Sequence, residues 1–426
     1  MVKIKDHPKR HVLVNELHAR PFPRLSAPAH AVYLAIKPAG EASSRDREGE
    51  RAHLVALLDL YGATHPAPGA THYAEDLGPF RLKWEQHTEF VTYTVFFDGL
   101  DARPFDPANM DIFPQDWLAN LPGERISSAL IRVEMMEAVE SISGKFSQWF
   151  EAESMASSEI LDGSAIVAGD FRMDTAGHMR FAIFVTDGTG PQRIGRIVQR
   201  LCEVETYKTM AMLGLIEARS LSASLGRTEQ ALENLTEAMA AKTANANDQL
   251  DALLEIASEL ESLLAQSSFR FSATKAYGAL VAQRVEVMRE QRFQGRQTFS
   301  EFMSRRFDPA MRTVEATEAR LKSMAERSAR AGDLLRTRVD VERSAQNQTL
   351  LESMDQRAAT QLRLQETVEG LSVVAISYYA VNLASYLFYP MAGEIGLEKP
   401  VLTAILTPAV ILLVFLMVRR IRNKIH

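Results

Sequence analysis

Two stretches without a formal charge lie close together near the C-terminal end of this 426-residue chain, and they restrict its fold more than any other feature. Residues 371–389 read LSVVAISYYAVNLASYLFY, and residues 401–418 read VLTAILTPAVILLVFLMV. Each is about as long as the roughly 20 apolar residues that carry a helix across a hydrocarbon core. Pro408 interrupts the second run, which membrane helices tolerate where neighbours or water satisfy the freed carbonyl. The pattern predicts a two-helix transmembrane hairpin: a first span over 371–390, an outward-facing loop over 391–400, a second span over 401–418 and a basic tail over 419–426. Arg419, Arg420, Arg422 and Lys424 crowd the end of the second span, whereas the loop carries Glu394, Glu398 and Lys399. The positive-inside rule therefore places the tail, and the long N-terminal body with it, in the cytoplasm. Residues 1–11 are basic and polar with no apolar run behind them, so no cleavable signal peptide is expected.

The body before the hairpin divides by proline. Thirteen of the seventeen prolines fall at or before Pro191, and the next is Pro309. Residues 1–190 also hold the strand-like segments: 83–97, 126–135, 164–173 and 179–185, with a hairpin connection over 174–178. This half reads as a mixed α/β (α+β) domain. From 191 to 370 the apolar residues recur three or four apart, as in Leu253, Ile256, Leu260, Leu263 and Leu264, which predicts helix. Asp308-Pro309 reads as a capping acceptor followed by proline at the first helical position. A stalk helix from about 309 that ran unbroken into the first span would be about 80 residues, on the order of 120 Å. Such a helix needs other helices to pack against, in its own chain or in neighbouring ones.

Composition removes several functional classes. A net charge of −6 gives no reason to expect nucleic acid as a partner. The one cysteine, Cys202, excludes an intramolecular disulfide and a thiolate metal cluster, and fits a reducing compartment. No Gly-rich phosphate loop, nucleophile elbow or zincin pattern is present, and Asp187-Gly-Thr-Gly190 reads as a turn, so no enzyme and no resident cofactor are expected.

The functional argument lies on one side of the first span. At about 100° per residue, Ala375, Tyr378, Tyr379, Asn382, Ser385, Tyr386 and Tyr389 fall on one stripe. Polar groups are expensive in hydrocarbon, so this stripe should face protein or water. The second span offers little beyond Thr403 and Thr407. A closed ring of identical chains, first spans inward, would make Tyr378, Tyr379, Asn382, Ser385, Tyr386 and Tyr389 pore-lining. Asn382 bonding across a tight dimer is the alternative, and Tyr386 and Tyr389 also suit an interfacial aromatic belt. Glu394 and Glu398, repeated around an outer mouth, would attract cations, although an ordinary hydrated loop serves equally.

The order of these parts resembles the CorA-type divalent-cation channels, which have an α/β cytoplasmic domain, long helices feeding the first span, a five-fold pore of first spans, a short outer loop and a second span with a basic end. The resemblance implies a homo-oligomer, with a pentamer favoured, embedded in a lipid bilayer and taking a divalent cation. That superfamily carries Gly-Met-Asn after its first span. Here Tyr389-Pro390-Met391-Ala392 keeps Met391 and a preceding aromatic, with Pro390 at the glycine position and Ala392 at the asparagine position. The N-terminal His7-Pro8, then Asn15-Glu16-Leu17-His18-Ala19-Arg20-Pro21, with Leu25 and Pro28, resembles the opening of a bacterial membrane-anchored family of unknown function. That resemblance implies a bacterial inner-membrane location. His7, His11, Glu16 and His18 form a candidate metal set, because imidazole and carboxylate suit Zn²⁺, Ni²⁺ or Co²⁺; structural hydrogen bonding is the alternative. The expectation is thus a CorA-like ion channel or transporter, against a membrane-anchored scaffold or sensor without transport.

Overall fold

The computed structural model describes residues 6–10, 14, 22–38, 40, 45–241, 245–394 and 398–425. The chain divides into two compact units, one formed by residues up to 242 together with 251–331, the other by 243–250 together with 332–426.

The first unit is built on one nine-stranded sheet. Its strands are β1 (Ala29–Lys37), β2 (His72–Asp76), β3 (Arg81–Gln86), β4 (Val91–Asp98), β5 (Glu124–Met135), β6 (Ala156–Ile160), β7 (Ala165–Gly169), β8 (Met179–Val185) and β9 (Gln291–Arg292). Across the sheet the order is β2-β3-β4-β1-β5-β8-β7-β6-β9, and all neighbours are antiparallel except β5 and β8. Central β1 is apolar on both sides, so its alternation sorts residues between two cores. Val32, Leu34 and Ile36 join Trp84, Tyr93 and Leu130 beneath helix α1 (Arg47–Leu60), which supplies Leu54, Leu57 and Leu58. Tyr33 and the small Ala31 and Ala35 face the opposite core. There helix α4 (Pro191–Ala241) brings Ile194, Ile197, Val198 and Leu201, α5 (Ala246–Glu286) brings Tyr277, Val281 and Val285, and α6 (Phe299–Arg306) brings Phe299 and Phe302. The short α2 (Gln115–Ala119) adds Trp117 to the α1 side, and α3 (Val139–Trp149) covers β7 and β8 with Ile142 and Phe146.

The N-terminal segment is tied into this unit at α4. Leu25 is fully buried, and its N–H donates to the Pro191 carbonyl at 3.1 Å. The Pro23 carbonyl lies so close to Gly195 that a Cβ there would stand 1.8 Å from it, so only glycine fits.

Three sequence expectations change. Segment 83–97 is two strands, because Trp84 and Tyr93 are register partners on one face and an odd spacing cannot keep both on one side of a single strand. Position 190 is not a domain boundary: α4, α5 and α6 share a core with the sheet, and the helical region divides near Ala331. Asp308 is the first residue of α7 (Asp308–Glu394), not a cap, and its carboxylate stands in the first turn, where the helix dipole favours it.

In the second unit, α7 continues without a break at Gly370 and is followed by α8 (Lys399–Ile425). Both are long and apolar enough in part to cross a membrane. Residues 340–371 are exposed on nearly every side. Beyond them, burial marks one edge of α7, with Ser377 and Ser385 buried and Val373, Ala380, Val381 and Ala384 half-buried; α8 answers with buried Val414 and half-buried Leu406, Thr407 and Val410. The small residues on α7 let the two backbones approach.

Candidate functional site

The hairpin seam fixes which side of the first span remains open. Tyr378, Tyr379 and Tyr386 are 67, 70 and 73 % exposed, and Tyr389 is about half exposed. They point away from the seam. Asn382 is half-buried between the two sides. Among the described residues, neither its amide nor any of the four tyrosine hydroxyls has a hydrogen-bond partner. Ser385 departs from the expected stripe: it lies two helical turns from Ser377 on the seam and is 6 % exposed. Thr403 and Thr407 of α8 spend their hydroxyls on their own helix, donating to the Lys399 carbonyl at 3.0 Å and the Thr403 carbonyl at 2.7 Å. At the loop end the Lys399 ammonium stands 5.4 Å from the Tyr386 ring centre and 5.8 Å from that of Tyr389, a cation–π clasp between the two helices. Glu398 is exposed; Glu394 closes α7, and its side chain lies outside what is described.

The histidine set falls mostly outside the described residues. His7 is exposed, and its Nδ1 accepts from the Lys9 N–H at 3.2 Å. His11, Glu16 and His18 lie outside the described residues. Among the described residues no three histidine, cysteine or carboxylate side chains stand close enough together to hold a metal ion.

The first unit contains a polar layer that the sequence reading passes over. β3 turns Leu82 and Trp84 to the α1 core and Lys83 and Glu85 to the α4 side. Lys83 lies 3.0 Å from Glu85 and donates to Gln199 at 2.8 Å; Gln199 in turn donates to Glu203 at 2.7 Å, and Glu203 binds Arg284 of α5. Tyr33 and Thr206 close the layer with a 2.7 Å hydrogen bond. Lys83, Glu85 and Thr206 are all buried, so these charges survive inside only because each is matched. Cys202 lies within the layer, where burial, and then Glu203, push its thiol far above the ordinary range; it is held as a neutral thiol. Beside the layer is a cleft of about 350 Å³, walled by Phe90, Tyr207 and Tyr277 and bordered by Arg47 and His87.

A family model described as a protein of unknown function, DUF3422, matches residues 5–425. The chain belongs to that family. No curated protein and no solved structure matches it. For this DUF3422 chain the exposed tyrosine side of the first span was legible from helical spacing, whereas the polar layer was not. Lys83 and Glu85 read as an ordinary solvated strand face, and only the arrival of Gln199 and Glu203 more than a hundred residues later buries them.

Proposed function

We propose that the chain is a homo-oligomeric protein of a bacterial inner membrane, CorA-like in layout, that passes cations, divalent ones foremost, through a ring of first spans. The observation that carries this reading is the largely exposed face bearing Tyr378, Tyr379, Asn382 and Tyr386, which α8 meets only at its loop end through Lys399. Four hydroxyls or amides left toward lipid would be costly, and the Thr403 and Thr407 hydroxyls of α8 are spent on their own helix. Sister copies supply the missing cover, and five of them enclose a hydroxyl-lined path. With Pro390 and Ala392 in place of the glycine and asparagine, ion contacts fall to Asn382 and the tyrosines instead of a Gly-Met-Asn filter. In this reading both termini are cytoplasmic and Glu398 repeats around the outer mouth.

Replacing Asn382 by Leu should change Mg²⁺ or Co²⁺ flux into proteoliposomes at least several-fold while leaving the oligomeric mass in detergent intact. A monomeric mass, or flux indifferent to the substitution, rejects conduction. One observation favours a second reading, a tethered scaffold: residues 340–371 of α7 leave Leu350, Leu351, Met354, Leu362 and Leu364 exposed, a surface that a protein partner could use. A scaffold predicts no flux from either form.

A further inference from the structure

Helix α7 is packed at its start, where Val314, Leu321 and Met324 are buried, and again at Ser377 and Ser385, but not between. Residues 340–371 are exposed on nearly every side, and a lone helix in water gains nothing from its apolar groups. Because α7 runs unbroken from Asp308 to Glu394, the direction of each side chain can be carried along it at about 100° per residue. On that count Leu350, Met354, Arg357, Leu364, Val368 and Leu371 share a band about 100° wide with Ala375, Tyr379, Asn382 and Tyr386 of the first span. Leu350, Met354, Leu364, Val368 and Leu371 are each more than half exposed. Leu351 and Leu362 stand apart from the band.

Charge sorts along the same line. Between 346 and 389 the charged residues are Glu352, Asp355, Arg357, Arg363, Glu366 and Glu369, and all but Arg357 fall outside the band. Arg357 is exposed, and the positions three and four away, Ser353, Met354, Thr360 and Gln361, offer it no carboxylate. The anchor identifies what covers the band. Copies held by the same hairpin in one bilayer stand parallel, and residues equally far from the membrane stand level. A band with one charge in its whole length meets itself with little repulsion, and it continues the face through which the first spans are read to associate.

We infer that residues 346–371 of α7 pack against the same residues of a second copy, parallel and level, with Leu350, Met354, Leu364, Val368 and Leu371 in the seam and each Arg357 facing its counterpart. The inference rests on the self-association proposed above, not on conduction. The Arg357 layer weakens the seam, as a polar residue at a core position does in a parallel coil, and makes it respond to salt, which screens like charges.

The test uses the full-length protein in membranes, where buried Cys202 leaves a low background for single cysteines. A short bis-maleimide should join Leu364→Cys chains at least several-fold more than Glu366→Cys chains, both sites being exposed but on opposite sides of the helix. In detergent, Arg357→Leu should raise the temperature at which the oligomer dissociates and remove most of the gain that added KCl gives the unsubstituted protein. Equal joining at 364 and 366, capture of a different protein at 364, or an Arg357→Leu oligomer with an unchanged salt response each overturns the stalk seam. Joining through Tyr379→Cys without joining through Leu364→Cys rejects the stalk seam and keeps the ring of first spans. Joining at 364 in a protein that passes no ion supports the seam and rejects conduction.

Discussion

The carbonyl of Trp117 can only accept a hydrogen bond, and that fixes a proton on one nitrogen of a buried histidine. His53 Nε2 lies 3.1 Å from that carbonyl and must carry a proton, so in the neutral ring Nδ1, 3.1 Å from the Tyr93 hydroxyl, accepts from it. The imidazole is buried and stacked on Trp117 with centroids 4.0 Å apart, surroundings that favour its neutral form. Burial, the largest cause, lowers its pKa from the ordinary value of 6.5, partly offset by the Trp117 bond. A base with a depressed folded pKa contributes stability that is complete above 6.5 and is lost as pH falls through the folded value. The melting temperature of the full-length protein should thus fall on acidification from pH 7 towards about pH 5. His53→Leu should flatten that part of the profile and cost about 1–3 kcal/mol at neutral pH, since Tyr93 and Trp117 both lose a partner. A profile of unchanged slope would show that other groups control it. In the sequence His53 looks like any surface histidine; only the fold brings Tyr93 and Trp117 to it.

At the scale of elements, α6 shows how a short helix is held in place. Thr298 accepts from the Glu301 N–H, and Glu301 accepts from the Thr298 N–H, each at 3.1 Å. The remaining early N–H groups, those of Phe299 and Ser300, donate to Glu290 at 2.9 and 2.8 Å. The start of the helix is thus fully satisfied, which sets Phe299 and Phe302 against Phe171. Thr298→Ala should lower stability by about 1 kcal/mol, and Glu290→Ala by about 2–3 kcal/mol because it strands two N–H groups at once, both read by thermal melting. The Thr-x-x-Glu spacing is legible in the sequence, but Glu290 is not, because it reaches its partners across a bend inside a stretch read as continuous helix. The split of 83–97 into β3 and β4 was lost for a related reason: β-branched and aromatic residues run on through His87–Phe90, and the turn reveals itself only through the change of face between Trp84 and Tyr93.

For the molecule as a whole, the two apolar helices were plain from the absence of charge, but the side each one turns to the other was not. That choice is made by Ser377, Ala380, Ala384 and Ser385, whose small side chains let α8 settle opposite the tyrosines. It yields a direct comparison of two adjacent positions. With Cys202 buried, the native thiol background is low. Tyr378→Cys should form inter-chain disulfides under mild oxidation in membranes, whereas Ser377→Cys, inside the seam, should not. Equal behaviour at the two positions would mean that the tyrosine side does not meet sister chains.

The pairing of β6 with β9 bears on how the protein is made. Ser158 on β6 bonds to Glu290, 132 residues further along the chain. While a ribosome is still producing α4 and α5, β6 has a raw edge, and the aromatic floor later sealed by α6 lies open to water. The hairpin that follows then emerges within about a hundred residues. Closure of the sheet and emergence of the two apolar helices therefore compete for one brief interval.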